Sequence, residues 1–180
     1  MPPRASARLR GEIVTVPGPP TRTQILLARV AVVLIVGLAL AGLAWYGLST
    51  EVIARIGRSI LARPGGPMTF RFVLQPAMAA IAALRDGVAD ARLGRGAYLT
   101  ALLTGAGGRE ARLWEGVLST SRILILGVVM DIVYQIAVLG EFFPAEAAIV
   151  AVLLAFVPYL LLRGPIERAA RGWMTWRADR

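Results

Sequence analysis

The sequence contains no cysteine, no histidine and no lysine. Without cysteine no disulfide can form, so the redox compartment leaves no mark on the chain. Without cysteine and histidine, zinc, haem and copper sites lose their usual ligands. Ser–His–Asp and Cys–His catalysis are excluded for the same reason. No metal and no cofactor is expected. Acidic charge is also scarce: 11 acidic residues stand against 20 basic ones, all arginine, for a net charge of +9. Abundant Ala, Gly, Leu and Arg without Lys matches coding in a GC-rich bacterial genome, which is an association and not a physical argument.

Apolar residues are plentiful. They make up 57% of the 180 residues and are gathered into long blocks, as a bilayer requires. A basic balance is one mark of a nucleic-acid binder. Here the arginines flank the apolar blocks instead of sharing a face with aromatics, so topology and anionic lipid headgroups account for them and no nucleic-acid partner is expected.

The organisation follows from these blocks. Residues 1–23, with Pro2, Pro3, Pro17, Pro19, Pro20, Arg4, Arg8 and Arg10, read as a disordered basic tail. Residues 30–48 are uncharged; at about 1.5 Å per residue they approach the roughly 30 Å hydrocarbon thickness. Ala39-Leu40-Ala41 fits a signal-peptide cleavage pattern, but the preceding basic region is long and the apolar run continues past it, so a retained span is favoured. Residues 50–63 place Val52, Ile53, Ile56 and Ile60 at helical spacing among arginines, predicting an amphipathic helix on the bilayer surface that Pro64-Gly65-Gly66-Pro67 ends. A second span covers residues 70–85. Its apolar part, 72–84, is short and holds Pro76, so a full crossing and a re-entrant segment both remain open. Residues 86–95 continue as polar helix, and 104–108 form a glycine-rich loop that lacks the Gly-Lys-Ser/Thr of a phosphate cradle. Residues 109–121 predict a second amphipathic helix that feeds into the third span, 123–140; 145–162 form the fourth. Arg163-Gly164-Pro165 stops the last one, and 166–180 form an amphipathic tail. Trp45, Trp114, Trp173 and Trp176 read as interfacial anchors.

The fold expected is therefore an all-α polytopic bundle of about four membrane helices, spanning residues 24–165, with interfacial amphipathic helices. Arginines in both tails predict cytoplasmic termini, and the acidic turn 141–146 predicts the opposite side. Residues 51–71, with four arginines and one acid, run against this four-span topology. A three-span chain with an external N-terminus is the competing arrangement.

Two stretches resemble a family of small bacterial inner-membrane proteins with no assigned activity. One is Phe72-Val73-Leu74-Gln75-Pro76, followed by Ala82-Ala83-Leu84-Arg85-Asp86-Gly87 and Asp90-Ala91-Arg92-Leu93-Gly94-Arg95. The other is Asp131-Ile132-Val133-Tyr134-Gln135 with Val157-Pro158-Tyr159-Leu160-Leu161-Leu162-Arg163-Gly164-Pro165. The resemblance covers about residues 68–171. It implies a shared membrane core and supplies no reaction, ligand or site residue.

One residue stands in the wrong solvent. Asp131 lies in the apolar run 123–140, where a carboxylate costs at least about 2.5–3.5 kcal/mol on insertion scales. Gln135 is one helical turn away, and Arg71 and Gln75 repeat that spacing on the preceding block. Antiparallel packing would join Arg71, Gln75, Asp131 and Gln135 in one intramembrane polar cluster. With no second carboxylate expected at that depth, an interhelical tie is favoured over a proton or cation site. Tyr134 and Tyr159 are expected in the core, beside a Pro158 kink. Asp86 and Asp90, among Arg85, Arg92 and Arg95, read as a solvated salt-bridge face and not a metal pair. The function expected is a non-catalytic membrane component of a bacterial inner membrane: a complex subunit, assembly factor or lipid-organising protein. Its partners would be anionic lipid, other proteins or further copies of itself. The alternative is an oligomeric transporter or channel subunit built on Asp131.

Overall fold

The computed structural model describes residues 6–9, 12–15, 18–66, 68–105 and 108–178. The fold is an all-α bundle, with one short ribbon in its N-terminal tail. In that ribbon β1 (Ser6–Leu9) pairs antiparallel with β2 (Glu12–Thr15), placing Ser6 opposite Thr15 and Leu9 opposite Glu12. The β-branched run Ile13-Val14-Thr15 suits a strand. The predicted disordered tail is corrected over these residues, and again at its end. Thr21 and Gln24 form a capping box that starts α1 (Arg22–Tyr46) ahead of the expected boundary. Pro2, Pro3, Arg4, Arg10 and Pro17 lie outside the described residues, as do Pro67 and Arg180.

The remaining helices are α2 (Thr50–Ala62), followed by a 3-10 turn Arg63–Gly65; α3 (Arg71–Arg92); α4 (Tyr98–Thr104); α5 (Arg109–Tyr134); α6 (Pro144–Ala151); and α7 (Val157–Ala178). A π-helical turn, Gln135–Leu139, extends α5, and another, Val152–Phe156, joins α6 to α7. Among the described residues four helical stretches are long and apolar enough to cross a membrane: Arg22–Tyr46, Arg71–Arg92, Arg109–Leu139 and Pro144–Arg177. The block 72–84 thus belongs to a 22-residue helix long enough for a span.

The amphipathic segment 109–121 feeds into the span 123–140 as one continuous helix, as its sequence predicts. One expected boundary is absent. Arg163-Gly164-Pro165 does not stop α7, which runs through Pro165. Tertiary packing holds it there: the Gly87 backbone of α3 lies so close that a Cβ would sit 2.9 Å from the Arg163 carbonyl oxygen and from Ile166. Pro158 has no N–H to donate. The π turn Val152–Phe156 directly precedes it and absorbs the interruption.

The helices alternate in direction. At one end of the bundle Tyr46, closing α1, donates to the Phe142 carbonyl at 3.0 Å, and its ring lies 5.6 Å from that of Phe143, which precedes α6. At the other end Gln24, opening α1, shares a cavity with Asp90 and Arg163. The core between is built largely from small and aliphatic residues, with Ala31, Ala79, Ala83 and Ala155 around Ile123, Leu124 and Tyr159. Small residues let membrane helices approach closely. Leu26, Val33 and Leu40 of α1 face outward, as lipid contact requires.

Candidate functional site: two buried charge clusters

The first cluster is centred on Asp131, which is fully buried on α5. Its Oδ1 accepts from Arg63 Nη1 and, at 2.5 Å, from Arg71 Nη2. Its Oδ2 accepts from Gln135 Nε2 at 2.6 Å. Gln135 is itself fixed: its Oε1 accepts from the Phe143 N–H at 2.5 Å, and its Nε2 reaches the Phe143 carbonyl at 3.3 Å. Of the four predicted members, Arg71, Asp131 and Gln135 are joined by hydrogen bonds. Gln75 is buried in the same bundle with neither amide atom hydrogen-bonded among the described residues, its Nε2 facing Gly127 of α5.

Sequence reasoning missed a second carboxylate at this end. Glu146 belongs to the acidic turn expected on the outer side of the membrane, yet it is fully buried on the first turn of α6. Its Oε1 accepts from Arg55 Nη1 at 2.9 Å; its Oε2 accepts from Ser59 Oγ and Arg63 Nη2, both at 2.7 Å. Arg63 therefore bridges the two acids. The aromatic ring of Tyr134 lies beneath both buried cations, 5.3 Å from the Arg63 guanidinium and 5.0 Å from that of Arg71. The fully buried charges balance, Arg63 and Arg71 against Asp131 and Glu146, so neither sign is left uncompensated where water is scarce.

α2 and the turn after it supply these partners because Arg55, Ser59 and Arg63 are spaced by four and share one face. That face turns inward, while Ile53 and Leu61 point outward. The surface helix expected at 50–63 exists, but its polar side docks on protein. The spacing was a readable signal; its direction was not, since the polar face of an amphipathic helix faces water by default.

The second cluster lies at the opposite end. Asp90 is buried, which corrects the expected solvated face. It accepts from Arg163 Nε at 2.8 Å, with Arg112 and Arg95 at 3.6 and 3.7 Å. Arg163 Nη1 donates to the Tyr159 hydroxyl at 2.6 Å, which donates to Asp86 at 2.7 Å; Ser119 donates to the same oxygen at 2.6 Å. Glu115 closes the set through Arg95, Arg112 and Arg163. Three acids thus meet three arginines, and all of these but Arg112 line a cavity of about 370 Å³ that also contacts Gln24. The Tyr98 ring lies 4.1 Å from the Arg163 guanidinium, and burial pushes the Tyr98 phenol up from its ordinary value. Tyr134 and Tyr159 are core residues as expected.

Among the anchors, Trp45 is exposed at the end of α1, Trp114 is half-buried early on α5, and Trp173 and Trp176 are exposed on the last turns of α7. Arg109 caps α4 by donating to the carbonyls of Leu102 and Leu103, so it is engaged with protein and not solely with lipid. Among the described residues no group of three or more acidic side chains is placed to hold a metal ion. Comparison with protein-family models, curated proteins and solved structures finds no match to this chain.

Proposed function

We propose that this chain is a non-catalytic multi-pass membrane component, a scaffold-like subunit or lipid-organising protein of a bacterial inner membrane, related to the small family that its motifs resemble. The observation that carries this reading is the saturation of Asp131: three donors from three helical elements occupy its two oxygens. A carboxylate that loads and releases a proton or cation needs a free edge in at least one state. Asp131 instead serves as a tie between helices, and Glu146 is held in the same way.

Both termini face the cytoplasm in this reading. The four arginines of residues 51–71 cease to oppose it once their partners are counted. Arg63 and Arg71 are buried on Asp131 and Glu146, and Arg55 pairs with Glu146, so that of the four only Arg58 is an exposed cation without an acid among the described residues. At the other end Arg92, Arg95, Arg168, Arg171 and Arg177 are exposed, the bias expected of a cytoplasmic face. Because the chain has no native cysteine, single Leu48→Cys and Leu103→Cys variants report sidedness directly. Both leucines are highly exposed. Impermeant maleimide on intact cells should label the first and spare the second; the reverse pattern rejects this topology.

The scaffold reading is tested in proteoliposomes carrying an internal pH dye. No proton or cation flux above protein-free vesicles is expected. A flux that Asp131→Asn abolishes would replace this reading with a transporter built on Asp131.

A further inference from the structure

A slot of about 220 Å³ lies between the end of α1, α2 and the start of α6. Leu43 of α1, Val52 and Ile56 of α2, and Phe143 and Ile149 beside α6 give it apolar walls. The charged groups that line it are Arg55 and Glu146. Arg55 is engaged on one side only. Its Nη1 donates to Glu146, its face rests on the Phe143 ring at 4.1 Å, and its remaining N–H groups have no hydrogen bond among the described residues. The side chain keeps 32% of its surface exposed. The cluster behind it carries Arg55, Arg63 and Arg71 against Asp131 and Glu146, one positive charge in excess. An anion at the mouth would balance that excess.

The slot is too small for a protein helix, which is about 10–12 Å across. An alkyl chain is narrow enough. The exposed Trp45 and the Tyr46 ring stand at the same end of α1, where an aromatic belt meets headgroups. We propose that this slot holds one acyl chain of an anionic phospholipid, with its phosphate on the free edge of Arg55. The inference deepens the lipid-organising part of the reading above and rests on that membrane placement.

The full chain, purified in mild detergent, is examined by native mass spectrometry and thermal unfolding with phosphatidylglycerol or phosphatidylcholine added. Wild type should retain phosphatidylglycerol in preference and gain more thermal stability from it. Ile56→Trp fills the slot without touching any ionic contact, and should lose both retention and stabilisation. Arg55→Lys keeps one charge for Glu146 but offers no second N–H edge, and should lose the preference between headgroups. Arg58→Gln, a change to an exposed arginine outside the slot, should leave the preference intact. Equal stabilisation of wild type by the two lipids overturns the proposal, as does an Ile56→Trp variant that retains lipid like wild type. A dimer abolished by Ile56→Trp also overturns it, by assigning the slot to a second copy. Alkaline extraction of native membranes separates the two levels: a chain that stays in the pellet keeps its membrane placement whatever the slot binds.

Discussion

Arg63 and Asp131, 68 residues apart in sequence, meet as a fully buried ion pair between the 3-10 turn after α2 and the last turn of α5. The other terminal nitrogen of Arg63 reaches Glu146 on α6, so one guanidinium ties three segments together. Pairs of this kind need not add stability over an apolar core, but breaking one strands its partner in a low-dielectric interior.

Arg63→Leu should therefore be among the most damaging single substitutions, with a loss on the order of 3–5 kcal/mol. Unfolding in mild detergent measures the loss. α2 should also undock, because Arg55 and Ser59 alone would then hold it to Glu146. Limited proteolysis should cut between residues 50 and 66 much faster in this variant than in wild type.

Asp131→Asn is not a benign replacement here. Gln135 is pinned by the Phe143 backbone with its Nε2 aimed at Asp131, so an asparagine amide there sets donor against donor or turns one toward the arginines. The charge of Arg71 is also left unbalanced. We expect a loss of about 1.5–3 kcal/mol for Asp131→Asn. Combined with Arg71→Leu, the total loss should fall clearly below the sum of the two single losses, since neutralising both members removes the stranded charge. An additive double-mutant cycle would show that the two side chains are not coupled.

Gln75 makes the opposite prediction. Both of its amide atoms are buried without a hydrogen bond among the described residues, a cost of about 1–3 kcal/mol. Gln75→Met keeps the length and removes the unpaired groups, so the unfolding midpoint should rise. A fall would mean that the amide gains a bridging partner in the membrane.

The α3–α7 contact is tested at Gly87. An added Cβ would lie 2.9 Å from the Arg163 carbonyl oxygen, which is backbone and cannot step aside cheaply. Gly87→Ala should cost about 1–3 kcal/mol and loosen the Asp90–Arg163 pair. Gly164→Ala, where nothing lies within 4 Å, should be neutral or gain up to about 1 kcal/mol of helix propensity.

The bundle was legible because a bilayer imposes length, and length is visible in the spacing of charges. Each of the four apolar blocks lies largely within one of the four long helices. The Arg71–Asp131–Gln135 half of the first cluster was also legible, from two i,i+4 pairs on neighbouring blocks. Glu146 and Arg63 were not. Each sits at the edge of an apolar block, where a charge ordinarily faces water, and only the packing of α2 against α6 turns them inward. Asp90 escaped for the same reason, since its burial depends on Arg163 arriving from a helix that was expected to stop there.

The inward face of α2 imposes an order on biosynthesis. Arg55, Ser59 and Arg63 find Glu146 only 91, 87 and 83 residues further along the chain. Until α6 leaves the ribosome, Arg55 and Ser59 have no acid to meet, and Arg63 has only Asp131. A chain truncated before residue 144 should leave Arg55 and Ser59 without their acid, and membrane quality control should clear it quickly. Glu146 would then be the residue whose arrival lets α2 dock.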